Sequence, residues 1–421
     1  MDDCFGKRTL VVGSGVSGKG AMQALRRAKA TCAYYGTCSL SEFAPELIVV
    51  SPGIKPSDPI FGYAAAGGTE LIGELELGYR LSGGKDMIAV TGTNGKTTVT
   101  RMVAEILRSD GVRAVECGNI GVSYAGLDPN DYDCAVAEAS SFQLATTRSF
   151  KPHIAVVTNI SSDHLDYHGD IKAYCAAKLK IAANLSSNDF LILSADDIPL
   201  EYLSGLSTKG DVFYTSARGK VRGTYIYNER IYFCGECVCE LDRLKVQGEH
   251  NCKNALNAIC AAKLYGVQNS AVVDALSQFE PDAHRISLVA TCGGKSYYND
   301  SKGTNIAASI AAAKCMTGST CMIVGGSDKG YEYDELFEQL PPMVVRIAAM
   351  GQTADKIRAA AKRQGFTNIE SFNDLEHAFE WANGGDEENV LLSPASASFD
   401  AFSSYVQRGE LFEKLVNAVA K

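Results

Sequence analysis

Residues Met87 to Val99 read M-I-A-V-T-G-T-N-G-K-T-T-V, an apolar run, a glycine-rich turn and then Lys96, Thr97 and Thr98. This stretch constrains the fold more than any other. The order strand, loop, helix start commits the chain to a mostly parallel α/β sheet with the loop at the carboxyl end of a strand. A loop of this kind turns the backbone N–H groups of Gly92, Thr93, Asn94 and Gly95 toward anionic oxygens. The helix that follows adds its positive end. Lys96 then reaches the outer phosphates, and the Thr97 hydroxyl, with Thr98 beside it, suits Mg²⁺. The common pattern G-x-x-x-x-G-K-[ST] wants a glycine where Val90 stands, and Gly92 supplies the earlier glycine instead, so the loop is a variant. The ligand implied is a polyphosphate, ATP first. A glycine turn with a surface lysine would explain neither the strand before nor the helix after.

The net charge of −9 argues against nonspecific nucleic-acid binding. No apolar run approaches the ~18 residues of a spanning helix, so no membrane insertion is expected. The start, Met1-Asp2-Asp3-Cys4, has no basic segment followed by an apolar core, so a cytoplasmic protein without a signal peptide is expected. Its 14 cysteines lie scattered in apolar runs and are expected as reduced thiols. The C-G-E-C-V-C run from Cys234 to Cys239 has no second pair or histidines at zinc spacing. Tyr232, Val238 and Leu241 favour a hairpin there.

Alternating strand and helix patterns point to three α/β domains in series, over residues 1–84, 85–282 and 283–421, with a hinge at Pro281 to Arg285. The first opens on a strand, Lys7 to Val12, and G-S-G-V-S-G, with a helix pattern from Met22. It is Rossmann-like, but Tyr34, Tyr35 and Gly36 stand where an NAD-binding acid would. Its loops suit a nucleotide-like diphosphate instead. The central domain is ATPase-like, built around the phosphate loop, with short strands that suggest an antiparallel edge over Val212 to Leu241 and a helical pattern from Ile171 to Leu185. The third repeats strand–turn–helix and is again Rossmann-like.

Further polar groups follow strand patterns. Glu138 ends an apolar strand in A-V-A-E-A-S-S-F-Q-L, where an acid can hold Mg²⁺. The alternative is a helix-start acid favoured by the dipole. Asn159, Asp163, His164, Asp166 and His168 fall within one loop, which suits a metal or a substrate carboxylate. Three more loops, Asn299 to Asn305, Val324 to Gly330 and Leu391 to Phe402, suggest a second ligand face. Lys302 and Thr304 would meet anionic groups at a helix start.

Taken together, the strings S-P-G-I, T-G-T-N-G-K-T-T, G-N-I-G, E-A-S-S-F-Q-L, D-H-L-D, A-A-K-L-K-I, G-E-H-N-C-K-N-A, H-R, N-D-S-K-G-T-N, G-G-S-D-K and S-P-A-S-A-S-F-D-A-F resemble the Mur ligase family, in order along nearly the whole chain. The resemblance implies a cytoplasmic enzyme of peptidoglycan precursor synthesis. ATP would phosphorylate the alanine carboxylate of UDP-N-acetylmuramoyl-L-alanine, and the amine of D-glutamate would attack the acyl phosphate. It implies catalytic roles for Lys96, Glu138, His164 and Lys178, and two Mg²⁺ ions held by Thr97, Glu138, His164 and a carbamate on Lys178. From spacing alone Lys178 is an ordinary solvated helix lysine like Lys180. The resemblance also implies that Asn251, Asn254, Arg285 and Asp300 meet the adenine and ribose. Ser14, Gly15, Val16, Ser17, Gly53 and Asn119 would meet the UDP-sugar, and Thr304, Lys329, Ser398, Phe399 and Tyr405 would meet D-glutamate. A monomer acting only on small molecules is expected. No D-N-P-R stretch, which diaminopimelate-adding relatives carry, is present. The competing expectations are another Mur-type or folylpolyglutamate-type ligase, and a non-catalytic nucleotide-binding protein.

Overall fold

A computed structural model gives the fold for residues 6–161, 163–245, 249–280 and 284–420. The hinge positions 281–283, Ser162, and the side chains of Leu165 and Asp166 lie outside that description. The chain divides into two compact units, Met1–Phe279 and Glu280–Lys421.

The first unit begins with four parallel strands, β1 (Thr9–Val12), β2 (Cys32–Tyr34), β3 (Leu47–Val50) and β4 (Glu70–Gly73), in the order β2-β1-β3-β4. β1 and β3 are buried along their whole length, as parallel strands covered on both faces must be. The first helix is Val16–Arg27, starting earlier than the Met22 expected from the apolar pattern. Gly13 turns the chain at φ +104°, and a Cβ on Gly18 would lie 1.9 Å from the Gly13 carbonyl oxygen. The glycines therefore let the helix begin directly against the strand end.

The second sheet of this unit has nine strands. They are β5 (Asp86–Thr91), β6 (Ala114–Gly118), β7 (Cys134–Glu138), β8 (Ile154–Val157), β9 (Phe190–Ser194), β10 (Asp211–Ser216), β11 (Gly223–Tyr227), β12 (Arg230–Phe233) and β13 (Glu236–Glu240). Their order is β13-β12-β11-β10-β9-β8-β5-β7-β6. The expected antiparallel edge is narrower than the Val212–Leu241 span, because β10 and β11 continue the parallel sheet and only the β11–β12 and β12–β13 pairings are antiparallel. The cysteine run is the expected hairpin. Cys234 and Gly235 form its turn, both with positive φ (48° and 92°), the geometry that matches strand twist. Helices Lys96–Ser109, Glu249–Tyr265 and Asn269–Leu276 cover one face. Phe150, Tyr174 and Leu185 pack on the other. The helix expected over Ile171 to Leu185 is α-helical only to Leu179 and tightens to a 3₁₀ turn at Lys180–Ala182.

Two buried carboxylates join the two sheets. The helix Glu74–Leu81 follows β4. Glu74 accepts from the Ser123 hydroxyl and the Ala125 N–H (2.7 Å). Glu76 accepts from the N–H groups of Arg148, Ser149 and Phe150, each at 2.9 Å, and from the Ser149 hydroxyl, while pairing with Arg80 at 2.8 Å. Arg27 adds bonds to the carbonyls of Ala125, Gly126 and Leu127. Glu76 can stay ionised because its hydrogen bonds are satisfied in this way, whereas Glu74 Oε2 has no partner among the described residues and burial raises the Glu74 pKa.

The second unit holds β14 (Ser287–Cys292), β15 (Lys295–Asn299), β16 (Thr320–Gly325), β17 (Val344–Met350), β18 (Ile369–Phe372) and β19 (Asn389–Leu392), in the order β14-β15-β19-β16-β17-β18. All pair in parallel except β14, an unanticipated edge strand that folds back on β15 through Gly293-Gly294. Helices pack on both faces.

Candidate active site

In the nine-stranded sheet β5 lies between β8 and β7, so the loop after β5 opens where neighbouring strand ends diverge, the position at which α/β sheets bind ligands. The loop is built from glycine geometry. Gly92 and Gly95 have φ of +151° and +81°, and a Cβ on Gly95 would sit 2.3 Å from Asn254 Oδ1. Asn159 fixes the loop from β8, its Oδ1 accepting from the Asn94 N–H at 2.8 Å, and the Thr158 hydroxyl donates to the Asn94 carbonyl at 2.6 Å. Lys96 opens the helix, with Nζ donating to the carbonyls of Gly92 (3.0 Å) and Thr93 (2.9 Å). The Thr97 hydroxyl donates to Glu138 Oε2 at 2.7 Å, and Asn119 Nδ2 donates to Oε1 at 2.8 Å. Glu138 therefore joins the phosphate loop to the G-N-I-G loop. Thr98 is buried, and its hydroxyl has no hydrogen-bond partner among the described residues, so it packs.

Lys178 differs from its neighbour. It is 2% exposed, and its Nζ donates to the Gly92 carbonyl at 2.6 Å. The Tyr174 ring lies 4.6 Å from that nitrogen, and the Tyr174 hydroxyl meets Thr93 Oγ1 at 3.1 Å. Burial, then the charge of Lys96, push its pKa well below the ordinary lysine value, although Asp163 and Glu138 oppose this. The expectation of a solvated lysine fails because the helix turns Tyr174 and Lys178, four residues apart, onto the same inward face. Lys180 instead donates to the carbonyls of Ala145 and Thr147.

His164 takes a left-handed conformation (φ +53°). Its N–H meets Asp163 Oδ1 at 2.9 Å, and its ring stands edge-on to Phe142 at 4.8 Å. His168 contacts the Ser141 hydroxyl (3.0 Å) and stacks on Phe142. Phe142 and Tyr174, which the sequence reading passed over, thus organise this loop. The signal for them was an aromatic beside each polar group.

In the four-stranded sheet the order reverses between β1 and β3. The turn with Ser14, Gly15, Val16 and Ser17 and the turn with Gly53 follow those two strands. A Cβ on Gly13 would lie 2.5 Å from Ser51 Oγ, so the two turns abut. Val16 is 65% exposed at the mouth.

In the second unit β15, β19 and β16 are neighbours, so the three polar loops foreseen there leave one sheet side by side. Asp300 is buried and accepts from the Ser393 hydroxyl at 2.6 Å. Burial pushes its pKa up to about 7, against the pull of Ser393 and Arg285. Arg285 is flanked by His284 (φ +62°) and Ile286 (φ +49°), two left-handed residues. The Thr304 N–H donates to the Lys302 carbonyl, and Asn305 caps the helix Ile306–Lys314. Lys302 Nζ lies 5.7 Å from the Tyr405 ring, and Lys329 Nζ 5.8 Å from the ring of Tyr331. Ser398 is buried, whereas Phe399 is 74% exposed. Asn251 and Asn254 stand buried on helix Glu249–Tyr265 of the first unit. No helix among the described residues is long and apolar enough to cross a membrane.

Comparison with known proteins gives the family and the fold. Residues 90–262 match the Mur ligase middle domain. A UDP-N-acetylmuramoylalanine–D-glutamate ligase from Lactococcus lactis is 40% identical, with 87% of this chain and 82% of that protein covered. One from Lachnoclostridium phytofermentans is 36% identical with 99% of each covered. A solved pseudomurein peptide ligase type C from Methanothermus fervidus shares the fold at a TM-score of 0.64 and 16% identity, over 98% of this chain and 100% of that one. The chain belongs to the Mur ligase family, on the branch of the UDP-N-acetylmuramoylalanine–D-glutamate ligases.

Proposed function

We propose that this chain joins D-glutamate to the alanine carboxylate of UDP-N-acetylmuramoyl-L-alanine, cleaving ATP to ADP and phosphate, in peptidoglycan precursor synthesis in the cytoplasm. The observation that carries the chemistry is the convergence of the phosphate loop with Glu138 and the buried Lys178. A carboxylate is a poor acyl donor. Transfer of the γ-phosphoryl group to its oxygen supplies a leaving group. The glutamate amine then attacks the carbonyl carbon, phosphate departs and the nitrogen loses a proton. Such a reaction needs positioning and charge neutralisation more than a protein nucleophile.

The loop fits ATP because a Cβ would fill its glycine cradle. Gly92 to Thr97 would wrap the phosphates with Lys96 neutralising them, and Asn251 and Asn254 on the same unit would take part of the nucleoside. The oxygens of Thr97 and Glu138 are the hard donors Mg²⁺ prefers. Bound there, the ion would neutralise charge on the phosphate oxygens. Among the described residues no three His, Cys, Asp or Glu side chains converge on one point, so the acidic donor set is short. A carbamate on Lys178 would extend it, alongside His164. The downward shift of the Lys178 pKa favours the neutral amine, the form whose nitrogen can attack CO₂ and lose a proton. In this reading residues 1–84 take the UDP-sugar through Ser14, Gly15, Val16, Ser17 and Gly53, joined by Asn119 from the central domain. Residues 85–282 take ATP, and residues 283–421 take D-glutamate through Thr304, Lys329, Ser398, Phe399 and Tyr405.

The test is phosphate release from ATP and Mg²⁺ with UDP-N-acetylmuramoyl-L-alanine, offering D-glutamate, L-glutamate, L-lysine and meso-diaminopimelate in parallel. Release with D-glutamate alone is expected. Release with another amine would overturn the substrate, and none with any amine would leave a binding protein.

A further inference from the structure

Arg408 is completely buried in the second unit, on the first turns of helix Tyr405–Val419. Among the described residues its hydrogen bonds go to one hydroxyl and to carbonyl oxygens, while Asp400 and Asp300 act on it through charge alone. Nε donates to Ser301 Oγ (3.0 Å), Nη2 to the Ser301 carbonyl (2.9 Å) and the Ser396 carbonyl (3.2 Å), and Nη1 to the carbonyls of Ser396 (3.2 Å) and Ala397 (3.1 Å). Ser301 lies in the loop after β15, and Ser396 and Ala397 lie in the loop after β19. The third loop reaches the same point. The Ser327 N–H donates to the Ala397 carbonyl at 2.9 Å, and a Cβ on Gly326 would lie 2.1 Å from that carbonyl oxygen and 3.0 Å from Arg408 Nη1. The Ser301 hydroxyl closes the circle by donating to the Tyr405 carbonyl at 2.8 Å.

A buried cation held by neutral acceptors is an expensive way to pack a core. Only the guanidinium offers five donors in a fixed planar fork, and here the fork spans two loops while its edge faces a third. We infer that Arg408 is the positioning residue of the amino-acid site, setting the mutual placement of the loops that carry Thr304, Lys329 and Ser398 and of the helix start that carries Tyr405. This rests on the D-glutamate reading given above. Arg408 touches no reacting atom in this account. It acts through the carbonyls it holds, and a sub-ångström drift of those loops separates carboxylate-binding groups that must act together.

The experiment is steady-state kinetics of Arg408→Lys, which keeps the charge but replaces the fork with a point donor, and of Ser301→Ala, which removes one acceptor and leaves the guanidinium in place. For Arg408→Lys the KM for D-glutamate is expected to rise about tenfold or more, the effect of a small misplacement, while the KM for UDP-N-acetylmuramoyl-L-alanine stays within about twofold. Ser301→Ala should shift the same constant in the same direction by less. Hydrogen exchange on both variants should accelerate in peptides covering 301–305, 326–330 and 396–399. A wild-type protein that uses D-glutamate, with variants whose D-glutamate KM is unchanged or whose constants all fall together with the folded fraction, would overturn the assignment alone. A wild-type protein that ignores D-glutamate would overturn the function first. Unchanged exchange in the three loops would then still refute the positioning role.

Discussion

Glu76 offers the sharpest test of how the first unit is held together. Its carboxylate serves three backbone N–H groups, one hydroxyl and the Arg80 guanidinium, and it is 0% exposed. In Glu76→Ala those donors lose their acceptor and Arg80 keeps a charge facing Glu70 alone. Removing one partner of a buried ion pair costs about 3–5 kcal/mol, and each stranded donor adds about 1–3 kcal/mol unless water reaches it. A loss of about 4 kcal/mol or more is therefore expected, and about half that for Glu76→Gln, which keeps one acceptor oxygen. In urea unfolding of the full chain by circular dichroism, the first transition should move down by more than about 1 M. Its pH dependence is a second check. Burial alone would raise the Glu76 pKa, but the bonds from Ser149, Arg148 and Arg80 together hold it below the ordinary 4.5. Its contribution is thus complete above the unfolded value and fades as the pH falls through the lower folded value. The gap between wild type and Glu76→Ala should close only on the acid side. A difference below about 1 kcal/mol at neutral pH, or one that persists unchanged into strong acid, would refute the reasoning.

Lys178→Ala should abolish most phosphate release and recover part of it with added formate or acetate, and full activity without additive would remove the carbamate role. Gly95→Ala forces a Cβ to 2.3 Å from Asn254 Oδ1 at φ +81°, so nucleotide binding measured by calorimetry should be lost. Asp300 has a folded pKa of about 7 against 3.8, so the folded state binds the extra proton between those values. Stability of the second unit should fall as the pH rises across that window, and Asp300→Asn should flatten the fall in denaturant titrations.

The phosphate loop was legible because strand, glycines and helix start are contiguous and each has a local cause. So were Glu138 and the strand-end loops of the second unit, since apolar runs ending in polar turns mark the carboxyl edge of a sheet. Lys178 was not, because A-A-K-L-K-I offers two lysines, and the rotation of the helix about its axis decides which one is buried. The spacing of Tyr174 and Lys178 carried that information. Arg408 had a comparable sign. It sits four and eight residues before Phe412 and Val416, both fully buried, so a charge occupies an apolar stripe. Strand β14 escaped notice because S-L-V-A-T-C is half exposed and gains its order from pairing with β15.

The phosphate loop also has a timetable. The Thr91 hydroxyl bonds to a carbonyl 48 residues downstream, the Asn94 N–H to a side chain 65 residues away, and the Gly92 carbonyl to a lysine 86 residues away. Each of these closures must be made before the loop has a fixed shape. During synthesis the glycine turn leaves the ribosome long before the residues that mould it. The loop cannot take its final shape before helix Ile171–Leu179 docks, and any fragment ending before that helix will carry the motif without the site.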